Sequence, residues 1–418
     1  MWPTVVAGML LILLSGICPA RAENWPRFRG PTGQGVSSET NLPTEWSATE
    51  NVHWKVEIPG EGWSSPIVWN DHIFVTSTTD NGVVCRVIAV DRTNGKLRWN
   101  KEVFQQSPKR KEQKNSYATP TPTTDGERVY AVFGDGSLVA LDFDGNIAWT
   151  NRDYKFYSQH GLGASPILYG DLLIMPLDGS SEGEDKMIGW KSPWDKAVLL
   201  ALDKNTGKVA WQGKRGLSRI AHATPNLLLS GDDAQLISGA GDVIQGFHPK
   251  TGERIWTVYS QGEGVVPSIV IGDGLIYSVS GFEMPTIRAV RPDGQGDVTK
   301  THIAWEQTKG VPSQSSLLYV KPHLYAVTDT GAVTCYDAGT GDVVWQNRVS
   351  GKHSASPIFA DGRVYFLSED GESVVIKPGA KFEVLARNSI GEPCQASMAV
   401  SQGNLFIRSQ HNLFCIGK

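Results

Sequence analysis

A recurrent ending constrains this chain more than any other feature of it. AVDRTNGKLRW closes at Trp99, and ALDKNTGKVAW closes at Trp211. Related endings are ALDFDGNIAW at Trp149, GFHPKTGERIW at Trp256 and CYDAGTGDVVW at Trp345. A degenerate copy reaches Trp305, IKPGAKFEVL offers Leu385 in the same place, and HWKVEI supplies Trp54 upstream. The anchors at 54, 99, 149, 211, 256, 305, 345 and 385 are spaced by 45, 50, 62, 45, 49, 40 and 40 residues. Spacing of this size is that of one four-stranded propeller blade.

A second repeat runs in phase with the first. SSPIVWNDHIFV around Pro66 returns as ASPILYGDLLIM around Pro166, HATPNLLLS around Pro225 and SASPIFADGRVYFL around Pro357. Weaker copies stand at Pro120, Pro267, Leu317 and Met398. Each reads as a short alternating strand, a Gly or Asp turn and a second strand. The glycines of Asn94-Gly95, Thr206-Gly207 and Thr340-Gly341 suit a tight hairpin, because glycine accepts positive φ. The last copy is followed only by NLFIRS and NLFCIG, one strand short of a blade. HWKVEI at the other terminus supplies that strand. The expectation is an all-β, eight-bladed β-propeller of four-stranded blades, closed by pairing the N-terminal strand with the last blade, which removes the open edges.

The domain reading is a signal peptide over 1–22, an extended segment over 23–50 and the propeller over 51–418, with an insertion at 178–196 in blade three. Val5 to Ile17 is almost wholly apolar, too short to span a bilayer, and Ala20-Arg21-Ala22 has the small-x-small form of a cleavage site. Cleavage after Ala22 would give an exported chain, periplasmic or secreted, with no transmembrane segment in the mature part. Cys18 does not suit lipid attachment, because the bulky Ile17 precedes it and no Leu stands three residues before. Lys and Arg (39) are interspersed with Asp and Glu (43), and no basic stripe points to nucleic acid. The run Lys109–Lys114 reads as a solvated loop between blades one and two.

Cys85, Cys335, Cys394 and Cys415 follow the leader, and their spacing assigns no pairing. Cys335 and Cys415 share a slot two residues before the turn Asp with Ala89, Ala140, Ala201, Gly246 and Ala289, so they read as small core fillers. The sequence holds no HExxH or Walker motif and no GxSxG nucleophile elbow; its GxSxG string, Gly179–Gly183, falls in the insertion and not between a strand and a helix. His53, His72, His302, His323 and His411 fall near strand ends and turns, where a solvated or hydrogen-bonded role suffices.

The A-x-D-x-x-T-G-x-x-x-W ending resembles the pyrroloquinoline-quinone-type repeat. That repeat occurs in quinoprotein alcohol dehydrogenases and in the periplasmic propeller that assists outer-membrane protein assembly. The resemblance covers about Trp25 to Lys418, and NWPRFRGPTGQGVSS followed by LPTEW also looks like the N-terminal segment of that superfamily. It implies a propeller, which by itself hosts many functions. The dehydrogenases hold their quinone under a disulfide of adjacent cysteines and beside a calcium bound by Glu, Asn and Asp. No two cysteines adjoin here, and no loop carries that ligand set in a recognisable motif. The chain therefore resembles the assembly propeller more than the dehydrogenases.

One constellation remains. In front of the strand slots stand Trp63, Tyr117, Gly163, His222, Val265, Gln314, Ser354 and Gln395, with His160, Glu263 and His353 close by. The innermost strand of each blade lines the axis, so equivalent positions converge on the channel mouth. Aromatic faces with amide and imidazole groups suit an amphipathic ligand, whereas the bland alternative is a water-filled plug. Trp63, Tyr117, His160, His222, Glu263, Gln314, His353 and Gln395 are the expected ligand-binding residues, with no catalytic and no metal-binding residue. The function expected is non-catalytic binding of a protein, peptide or small amphipathic ligand in the envelope, without a cofactor. The alternative is a quinone-dependent oxidoreductase of alcohols or sugars, needing pyrroloquinoline quinone and calcium. A sugar-binding role, resting on exposed aromatics, is a third reading.

Overall fold

The computed structural model describes residues 23–230 and 234–418; the expected signal peptide over 1–22 and its cleavage after Ala22 lie outside the described residues. Eight antiparallel sheets succeed one another, spanning 67–105, 123–151, 167–214, 226–259, 270–307, 318–348, 358–389 and 399–416, here blades one to eight. No helix occurs among the described residues. Blade eight has three strands of its own and takes its fourth from Val52–Glu57, which pairs antiparallel with Asn412–Ile416. The ring is thereby closed through the N-terminal strand. Blade four gains a short parallel fifth strand, Gly296–Asp297, carried on the longer excursion that precedes Trp305.

The ladder tryptophans join neighbouring blades. Nε1 of Trp54, Trp99, Trp149 and Trp305 donates to the carbonyls of Arg92, Phe143, Lys204 and Ala338 in the next blade, at 2.8–3.0 Å. Trp256 reaches the next blade through a relay, donating to Gln235, whose amide donates to the Pro292 carbonyl. The rings of Trp54, Trp99, Trp149, Trp211 and Trp305 lie on the turn glycine of the following blade: a Cβ on Gly207 or Gly252 would stand 2.5 or 2.3 Å from the Trp149 or Trp211 ring. These glycines are therefore required both for positive φ and for room.

The small slot has the same origin. Ala89, Ala140, Ala201, Gly246, Ala289, Cys335 and Cys415 lie directly across the ladder from Trp99, Trp149, Trp211, Trp256, Trp305, Trp345 and Trp54. Each small side chain leaves space for its indole. All four described cysteines are buried and free, and burial pushes the Cys335, Cys394 and Cys415 thiols up to about 12. In blade seven the residue across from this slot is Ala386, facing Val375, and not Leu385, which is exposed. The degenerate IKPGAKFEVL copy had concealed a shift of one residue.

Residues 23–50 cross the end of the propeller formed by the far ends of the innermost strands. Trp25 bridges to Val68 of blade one, and the Pro26 carbonyl accepts the Thr124 amide of blade two. Arg29 donates to the Leu317 carbonyl beside blade six, Val36 bridges to Phe359 of blade seven, and Ser401 of blade eight donates to the Glu23 carbonyl. The segment is thus a strap stitched around the ring.

Candidate functional site

Every innermost strand is preceded by one hydroxyl residue: Ser65, Thr121, Ser165, Thr224, Ser268, Ser316, Ser356 and Ser397. The backbone N–H of each donates to the side-chain oxygen of the next, at 2.9–3.2 Å, and Ser397 closes the circle onto Ser65. A backbone amide next to the axis has no ladder partner at this height, and the hydroxyl of the neighbouring blade satisfies it.

This circle fixes the register of the mouth. Two residues before each ring hydroxyl stand Trp63, Thr119, Gly163, His222, Val266, Gln314, Ser354 and Gln395, and all eight line one cavity of about 450 Å³ together with the eight hydroxyls. Phe28 of the strap lines the same cavity. The loop between blades one and two adds Glu112, Lys114 and Asn115, and His160, Glu263 and Phe282 complete its polar and aromatic wall.

Six of the eight expected residues, Trp63, His160, His222, Glu263, Gln314 and Gln395, are therefore gathered in one cavity. Tyr117 and His353 are not. The strand slot of blade two is Pro122 and not Pro120, because Thr121 is its ring hydroxyl; Thr119 consequently takes the place expected for Tyr117. Tyr117 instead donates to the Lys109 carbonyl at 2.6 Å and packs over Gly82 and Gly134. A slip of one residue in blade five, where Ser268 is the ring hydroxyl, puts Val266 on the cavity where Val265 was expected. His353 is buried with its ring nitrogens on the carbonyls of Leu367 and Ser350, at 3.0 and 2.9 Å. The sequence signal for Thr119 and Val266 was the hydroxyl ring, which the stronger Pro pattern obscured.

The loop 109–114 is more than a solvated run. Lys109 pairs with Glu182 of the insertion at 2.6 Å, and Lys114 pairs with Glu369 of blade seven at 2.7 Å. From the insertion, Lys191 pairs with Glu263 at 2.8 Å, and the buried Asp178 takes the Arg215 guanidinium in a two-point contact. Two excursions thus flank the mouth and are tied across it.

His222 and Glu263 have the least satisfied polar atoms on the wall. His222 is 8% exposed, yet neither ring nitrogen has a hydrogen-bond partner; Glu263 is 5% exposed, and its Oε2 is unpartnered. Burial pushes the His222 imidazole down to about 3, with the nearby His160 adding to the effect. Desolvation lowers His160 as well, against the opposing charges of Glu263 and Glu112. Both imidazoles, 5.9 Å apart, are therefore neutral at neutral pH. Trp63 is half-buried and belongs to no hydrophobic cluster of the blades, so one face of the cavity is an uncommitted aromatic ring.

Comparison with known proteins places this architecture. An outer membrane protein assembly factor BamB of Bordetella pertussis is 24% identical over 272 residues, a match spanning 60% of this chain and 60% of that protein's length. BamB from Moraxella catarrhalis superposes with a TM-score of 0.60 at 16% identity, over 88% of this chain and 97% of that one. A europium-containing methanol dehydrogenase superposes with a TM-score of 0.71 at 11% identity, over 95% and 98% of the two chains. At such identities these two likenesses speak for the fold alone. A family model described as outer membrane protein assembly factor BamB matches residues 46–184 and 239–378, well over half of the sequence. The chain belongs to that family, a branch of the pyrroloquinoline-quinone-type repeat propellers.

Proposed function

We propose that this protein is an exported, non-catalytic propeller of the cell envelope that binds a protein, peptide or small amphipathic ligand at its axial mouth. The observation that carries this reading is the cavity wall itself: the unpartnered imidazole of His222 and the unpacked face of Trp63 on one cavity to which every blade contributes. Buried polar atoms are ordinarily satisfied, and those left open on a cavity wall are available to a ligand. Membership of the family of the outer membrane protein assembly factor BamB supports a place in outer-membrane protein assembly. The flanking excursions, tied across the mouth by Lys109, Lys114 and Lys191, hold the opening in one shape.

The quinone-dependent reading can be weighed on the donor set. Pyrroloquinoline quinone carries three carboxylates, which call for converging cations, and calcium calls for 6–8 oxygen ligands. The lining's one Lys, Lys114, already neutralises Glu369, and its carboxylates are Glu112 and Glu263, the latter held by Lys191. Among the described residues no three His, Cys, Asp or Glu side chains converge as a metal site. The lining does not fit either group.

Site-specific photo-crosslinking tests the reading. A photoreactive residue in place of Gln395 should give a discrete adduct with an envelope component, suppressed by Trp63→Ala. Dye reduction with alcohols after loading with quinone and calcium, abolished by chelation, would overturn it in favour of the oxidoreductase.

A further inference from the structure

We infer that the axial cavity takes a neutral, polyhydroxylated ligand, a saccharide of one or two pyranose units, stacked on Trp63 and bonded through the hydroxyl ring. The inference rests on the axial-mouth reading and names the chemistry that the mouth selects.

The hydroxyl ring supplies the first argument. Each of its eight oxygens already accepts a backbone N–H, and no acceptor among the described residues takes the hydroxyl protons. The cavity is thus encircled by O–H donors. Its wall adds groups able both to donate and to accept: the neutral His222 with both nitrogens open, and the Gln395 amide. Glu263 contributes one open carboxylate oxygen, an acceptor for a ligand hydroxyl. A ligand matching this set must itself donate and accept at several closely spaced atoms, as the hydroxyls of a sugar do.

Charge narrows the class. The carboxylates of Glu112 and Glu263 stand on the wall, and Lys114 is spent on Glu369, so an anionic ligand would meet no free cation there. A cation would face the donor ring. The neutral class meets neither difficulty, and the penalty for leaving donors unpaired on binding selects hydroxyl-rich ligands over apolar ones.

Shape supplies the third argument. Trp63, Phe282 and Phe28 stand on a wall that also carries the hydroxyls, imidazoles and amides, and an indole face suits the C–H face of a pyranose ring. The volume of about 450 Å³ falls at the small-ligand end of binding pockets, roughly 300–1,000 Å³. Phe28 of the strap lines the cavity too, so the opposite end of the channel is covered and an extended chain is not expected to thread through.

The test is titration of the purified protein with cellobiose, maltose and N,N′-diacetylchitobiose, with glucuronate as the charged comparator and an extended amphipathic peptide as the alternative ligand. Tryptophan fluorescence and ligand NMR report binding. A neutral saccharide should bind saturably, glucuronate more weakly, and Trp63→Ala should weaken binding roughly tenfold or more, while Trp63→Phe retains most of it. Because Trp63 lies outside the blade cores, both variants should keep the wild-type circular dichroism and melting temperature. Longer oligomers of the same sugars separate the two sources of such a ligand: affinity rising with length indicates the end of a glycan chain, and flat affinity a free sugar. Saturable peptide binding that Trp63→Ala abolishes, with none by the saccharides, overturns the ligand class and leaves the axial-mouth reading standing. No binding in either arm, or binding indifferent to Trp63→Ala, overturns both.

Discussion

Trp46 stacks on Tyr365 with ring centroids 6.3 Å apart and an interplanar angle of 23°. In blades two, five and six the same strand position carries Tyr130, Tyr277 and Tyr325, each within 6.1 Å of its own blade's tryptophan. Blade seven has Ala386 where that tryptophan would stand, and the N-terminal segment fills the gap from outside the blade. The Trp46 backbone N–H is fixed by Asn388 Oδ1 at 3.0 Å. Trp46→Ala should therefore cost about 3–5 kcal/mol, as for a buried ladder tryptophan. Denaturant unfolding checks this, and an unchanged midpoint would show that the strap is not part of the seam.

The glycines under the indoles give a controlled comparison. Gly252 has φ +71° and a Cβ there would stand 2.3 Å from Trp211, whereas Gly274 has φ +76° and open space around it. Gly274→Ala should cost about 1–2 kcal/mol for the left-handed backbone alone. Gly252→Ala should cost a further 1–3 kcal/mol, roughly, for the overpacked ring. Equal midpoints for the two variants would mean that the indole is free to retreat.

Removing one ring hydroxyl should leave one buried amide without an acceptor. In Ser316→Ala that amide belongs to Ser268, and the expected loss is about 1–3 kcal/mol. Hydrogen exchange at the Ser268 amide should accelerate in the variant. Unaltered exchange there would show that the ring is not what protects it.

His222 makes stability depend on pH. Its folded pKa is pushed down to about 3 from the ordinary 6.5, so the unfolded chain binds the extra proton between those values. The stabilisation by the neutral imidazole is complete above the unfolded pKa and is lost as pH falls toward 3. His160, on the same wall and itself lowered by burial, faces it, and the Glu263 and Glu112 carboxylates flank His160, so the readout is a difference between wild type and variant. Between about pH 4 and pH 6, His222→Gln should flatten the slope of unfolding free energy by about 1.4 kcal/mol per pH unit. Parallel profiles for wild type and variant would place the dependence elsewhere.

The sequence by itself determined the number of blades, the strand that closes the ring and the place of the tryptophan ladder. Those features rest on contacts within a repeat or between successive repeats, and a fixed spacing records them wherever they recur. The small slot was visible as Ala89, Ala140 and Cys335, but its reason, the indole directly across the ladder, appeared only with the pairing register. The mouth was legible at Trp63 and His222, where a proline marks the strand start, at Gln314 and Gln395, where Leu317 and Met398 take that place, and at His160 and Glu263 close by. It failed at Tyr117 because Pro120 and Pro122 offered two registers. Only the closed hydroxyl ring, a contact between neighbouring blades, chooses between them. The same is true of Trp46 and of Phe28: the strap lies across blades hundreds of residues away, and no local period encodes where a non-repeating segment comes to rest.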